Sequence, residues 1–196
     1  YDYLEHSVEE WVYDYSLADS IPDGTGQDES MDLLAAAVPV RVVEWNQKLI
    51  RMVGWKLSAM APASSAISNL IMSDQGKQDV RRSNCCVMDC GRQGVRLYFY
   101  QKGLLFAKRG LEFCDTEERL LFELEKIWDY YQTCYPGYIP ELIYVTGGKR
   151  NPLLEAAITE RLEAECCDWT KLLDNSQEPV RGLISAEAAG ITFWKG

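Results

Sequence analysis

Histidine is almost missing from this chain: His6 is the only one in 196 residues. General-base chemistry would have to rest on carboxylates, and the sequence offers neither a histidine–acid pair nor a recognisable activated nucleophile. The seven cysteines are an odd number and include the adjacent pairs Cys85–Cys86 and Cys166–Cys167, but no CxxC spacing. This argues against both a disulfide scaffold and a zinc site. Such pairs in apolar surroundings read as small buried hydrophobes of a reducing compartment. No apolar run approaches the roughly 20 residues of a membrane helix. An initiator methionine, a basic leader and a signal-like stretch are also lacking, so Tyr1 is expected to follow further sequence upstream. Positive charge is the minority sign, with Lys and Arg numbering 20 against 30 Asp and Glu, for a formal net charge of −10. The basic clusters are short: Lys77 with Arg81 and Arg82, Lys108 with Arg109, Lys149 with Arg150. Such a charge repels nucleic acid and anionic lipid headgroups at long range, so DNA binding is not the expected task.

What is present is a soluble-type composition, 47% apolar and 26% charged, long enough for one large domain or two small ones. Trp11, Tyr13 and Tyr15 alternate with Val12, Asp14 and Ser16 and predict a strand, followed by an acidic, glycine-containing hairpin loop over 19–32. The run LLAAAV from Leu33 predicts a second strand. From Pro39 onward Val42, Val43, Leu49, Ile50 and Val53 recur at helical spacing until Gly54. Trp55 to Ala61 reads as extended, and Pro62 with Ser64 and Ser65 opens a helix carrying Ile67, Leu70 and Ile71. The polar stretch 73–84 is the predicted boundary, giving domains 1–78 and 79–196.

The second domain is organised around CVMDCGRQGVRLYFYQKGLLFAKR, from Cys86 to Arg109. Val95, Leu97 and Phe99 fall on one face of an extended segment and Arg96, Tyr98 and Tyr100 on the other, which predicts a half-buried central strand in a three-stranded meander. Asp115 or Thr116 can cap a helix with Leu120, Leu121, Leu124, Ile127, Trp128 and Tyr131 on its apolar face. A buried strand, LIYV from Leu142, then enters Thr146-Gly147-Gly148, and Asn151 with Pro152 starts a helix through Leu162. Residues 168–179 read as loop and 182–191 as a short helix of small residues.

Two glycine bends therefore stand out. A glycine turn between strand and helix presents backbone N–H groups to phosphate, and equally permits nothing more than a tight turn. Asp89 at a strand end caps a turn or holds a hydrated metal ion. Taken together, the D-x-G bend of a meander, the long amphipathic helix, the strand-GG-helix unit and the small-residue helix resemble the second half of the actin-like ATPase (ribonuclease H-like) fold. This is an α/β (α+β) fold with mixed sheets and flanking helices.

Within that superfamily the chain is similar to the PilM family of type IV pilus assembly, with its relatives in MSHA pilus biogenesis and DNA uptake (MshI, HofM). Four segments carry the resemblance in order: YDYLEHSVEEWVYDY, LLAAAVPVRVVEWNQKLIRMVGWKLSAMAPASSAISNL, VMDCGRQGVRLYFYQKGLLFAKRGL and LIYVTGGKRNPLLEAAITERL. It implies an incomplete first subdomain followed by a complete second one. It also implies a vestigial or partial nucleotide site at Asp89, Gly91, Arg92, Gln93, Thr146, Gly147, Gly148 and Lys149, with Asp89 reaching magnesium through water. The family's first phosphate loop, D-x-G-x-x-S/T-x-K, does not precede Trp11, so no cofactor is expected here, whereas the resemblance leaves ATP and magnesium open for the full-length protein. The implied role is a non-catalytic cytoplasmic scaffold at the inner face of the bacterial inner membrane, binding the tail of a single-span PilN-like protein. The alternatives within the superfamily are an ATP-dependent enzyme, such as a sugar kinase, acetate kinase or Hsp70-like ATPase, and a polymerising cell-shape protein.

Overall fold

The computed structural model describes residues 10–17, 33–73, 78–112, 116–135, 137, 138, 140–173 and 186. The expected loop over 19–32, His6 and, apart from Ala186, the expected helix over 182–191 lie outside them. The chain forms two compact units, Tyr1–Pro62 and Ala63–Gly196.

In the first unit β1 (Trp11–Leu17) and β2 (Leu33–Pro39) pair antiparallel, with Tyr13 opposite Ala37 and Tyr15 opposite Ala35. Pro39 ends the second strand and is the N-cap of α1 (Val40–Met52), its fixed φ of −56° delivering the chain into the helix. The helix closes in a Schellman turn: Gly54, at φ +77°, donates to the Arg51 carbonyl, and Trp55 donates to that of Ile50. The strand expected over 55–61 does not form. An extended segment becomes a strand by finding a ladder partner, and among the described residues this one pairs with neither β1 nor β2.

In the second unit, α2 (Ala63–Met72) and the short α3 (Gln78–Arg82) precede the meander β3 (Asn84–Cys90), β4 (Gly94–Gln101) and β5 (Leu104–Glu112). Then come α4 (Glu117–Cys134), β6 (Leu142–Thr146), α5 (Pro152–Leu162), β7 (Glu165–Asp168) and a 3-10 turn over Trp169–Leu172. The sheet order is β5-β4-β3-β6-β7. Its meander half is antiparallel, while β6 adds in parallel to β3 through the α4 crossover and β7 in parallel to β6 through α5. The sequence reading omits β7 and the 3-10 turn.

The sheet is covered on both faces, which corrects the half-buried reading of β4. Val95, Leu97 and Phe99 meet α4 and α5 in one cluster, which includes Leu124, Trp128 and Ile158. Tyr98 and Tyr100 are buried with α2 residues Ile67, Leu70 and Ile71 in another, and the Tyr100 hydroxyl donates to the Ser64 carbonyl at 2.9 Å. Arg96 alone on that strand stays exposed. The adjacent cysteines follow the strand period: Cys85 lies in the α2-side cluster and Cys86 in the α4-side one. Burial raises the Cys85 thiol to about 12 and that of Cys86 well above its ordinary value, as expected of packing residues rather than nucleophiles.

Candidate functional site

Parallel pairing of β3 with β6 sets Asp89 beside Thr146, so the two glycine bends leave the same end of the sheet as neighbours. Gly147, at φ +94°, lies so close to the first bend that a Cβ there would stand 2.5 Å from the Cys90 carbonyl oxygen and 2.7 Å from Asp89 Oδ1. The Lys149 amide donates to that same Cys90 carbonyl at 3.0 Å, tying the turns together. Within the first bend the Gly91 amide donates to the Gly94 carbonyl at 3.0 Å. Thr146 is fully buried, and its hydroxyl accepts from the Ala186 amide at 2.8 Å.

The structure thus brings together Asp89, Gly91, Thr146, Gly147 and the backbone of Lys149. The remaining predicted residues face outward: Arg92 and Gln93 are exposed at the bend, Gly148 is exposed with no atom within 4 Å of a Cβ placed on it, and Lys149 is exposed. The partner that sequence reasoning missed is Arg96, whose Nε stands 3.6 Å from Asp89 Oδ2. A signal for it existed, because a hairpin closing around Gly91–Gly94 sets 89 opposite 96 in the ladder. Asp89 is 7% exposed, so this guanidinium neutralises a nearly buried carboxylate.

Arg150, beside the second bend, is committed to structure. Its Nε and Nη2 donate to the two Glu155 carboxylate oxygens at 2.9 Å each, and Nη1 donates to Asp168 Oδ2. This bidentate clamp joins the start of α5 to the end of β7. Asp168 also accepts from the Thr170 amide at 2.9 Å and hydroxyl at 2.6 Å. Partial burial pushes its carboxyl up, but the bonds from Thr170 and Arg150 outweigh this and hold it below the ordinary carboxylate range.

A nucleotide with magnesium would need backbone N–H groups turned toward phosphate and a carboxylate turned toward the ion's water shell. Here the Gly91 and Lys149 amides donate within the protein, one Asp89 oxygen lies against Gly147, and the other faces Arg96. Two of the bend amides and one Asp89 oxygen are thus already engaged within the protein. Among the described residues there is no cluster of three or more His, Cys, Asp or Glu able to hold a metal ion, and no helix long and apolar enough to cross a membrane.

No protein-family model and no curated protein sequence matches the chain. Solved structures do. A chain of a PilM–PilN type IV pilus biogenesis complex superposes with a TM-score of 0.72 at 15% identity, over 96% of this chain and 67% of that one. A Bacteroides thetaiotaomicron protein of unknown function with an actin-like ATPase fold superposes with a TM-score of 0.53 at 10% identity, over 100% of this chain and 63% of that one. The fold is therefore actin-like ATPase, with the chain spanning about two thirds of these relatives' lengths.

Proposed function

We propose that this chain belongs to a PilM-like, non-catalytic scaffold of a type IV pilus or related DNA-uptake or secretion assembly. Its work is to bind the cytoplasmic tail of a single-span PilN-like membrane protein at the inner face of the inner membrane. The observation that carries the reading is the superposition on a chain of the PilM–PilN complex over 96% of this sequence. The glycine bends are consistent with it, since Arg96 and internal backbone bonds occupy groups that a nucleotide would engage. ATP and magnesium, on this reading, would require the family's first phosphate loop as well.

An ATP-dependent enzyme of the same superfamily is the competing reading, favoured by the D-x-G bend and the GG turn meeting at one sheet end. Calorimetric titration of this chain with magnesium-ATP separates the two. The scaffold reading expects no heat of binding, and saturable micromolar binding would favour the enzyme.

A further inference from the structure

The helix α1 has no buried residue. Val42, Trp45, Leu49 and Met52 recur at helical spacing on one stripe, and their exposure is 36%, 63%, 46% and 76%. The Schellman turn places Val53 and Trp55 directly after it, at 59% and 71%. Arg41 and Lys48 stand four residues before Trp45 and Met52, hence alongside the stripe, and Arg51 and Lys56 continue the basic flank. Glu44 is the one acid between residues 40 and 56, in a chain of net charge −10.

We propose that α1 and its C-terminal turn form an interfacial membrane-binding face that takes anionic phospholipid. Two tryptophans with Leu49 and Met52 supply the apolar and amphipathic side chains that settle at the headgroup–acyl boundary, while Arg and Lys extend their stems toward phosphate. Charge complementarity selects this occupant. An acidic protein is repelled by an anionic surface except where a local basic face meets it, so the same residues also fix the orientation of approach. The helix would lie on the bilayer, since no helix among the described residues can span one. The inference concerns direct lipid contact and does not rest on the partner-tail reading.

The test is co-sedimentation of the full chain with phosphatidylcholine vesicles and with vesicles also containing phosphatidylglycerol. The chain is expected to pellet with the anionic vesicles and to be released by high salt. The double variants Lys48→Glu/Arg51→Glu and Trp45→Ser/Met52→Ser should each lower the partition coefficient roughly tenfold, with circular dichroism unchanged. Arg119→Glu/Lys126→Glu, an equal charge change on the exposed surface of α4, should leave it within about twofold. No pelleting with anionic vesicles, equal pelleting of the α1 variants, or an equal loss in the α4 variant would overturn the proposal. Salt-sensitive binding of an acidic, apolar peptide without vesicle binding would also overturn it, assigning the face to a protein.

Discussion

An alanine at position 147 would have to place its Cβ 2.5 Å from the Cys90 carbonyl oxygen at a φ of +94°. Backbone does not yield as a flexible side chain does, so Gly147→Ala is expected to destabilise the second unit by about 2–4 kcal/mol. Gly148→Ala, with open space at its Cβ, should stay within about 0.5 kcal/mol. Urea midpoints of the two variants check this, and equal midpoints would mean that the bends are not in contact. Asp168 makes a second residue-scale prediction. Because its folded pKa lies below the unfolded value of about 3.9, its bonds stabilise the fold fully above that value, and this contribution is lost as pH falls from there through the lower folded pKa. Between about pH 5 and pH 3 the wild type should lose more stability than Asp168→Asn, whose side chain does not titrate. Midpoints in urea at the two pH values supply the measurement.

At the scale of elements, legibility followed the locality of the signal. The helix α4 was legible from its apolar period and from Thr116, whose hydroxyl accepts from the Arg119 amide at 3.3 Å. The start of α5 was legible from Asn151-Pro152, with Asn151 Oδ1 accepting from the Leu153 amide at 3.0 Å. Asn151→Ala is therefore expected to cost about 1 kcal/mol of the second unit's stability, read from thermal or urea unfolding, whereas Asn151→Gly should cost less. The strand β7 was not legible. Four residues, two of them cysteines, carry no usable alternation, and the strand exists through parallel pairing with β6. Trp55 to Ala61 shows the converse, a sequence with strand character that lacks a ladder partner among the described residues. The far face of β4 was misread because Arg96 advertises solvent, while Tyr98 and Tyr100 are covered by α2, a helix distant in sequence.

For the molecule as a whole, order along the chain carried more information than any single motif. The D-x-G bend, the long helix, the strand-GG-helix unit and their succession pointed to the actin-like ATPase fold, which the superpositions bear out despite identities of 15% and 10%. The candidate site was legible only in part. Asp89, Thr146 and Gly147 are neighbours, as the fold requires, but the compensation of Asp89 by Arg96 is a tertiary fact of hairpin register. The most direct measurement is a pull-down between the full-length protein and the cytoplasmic tail of the neighbouring PilN-like protein. Saturable recovery of the tail in the absence of added nucleotide is the predicted result, and failure to recover it would contradict the account.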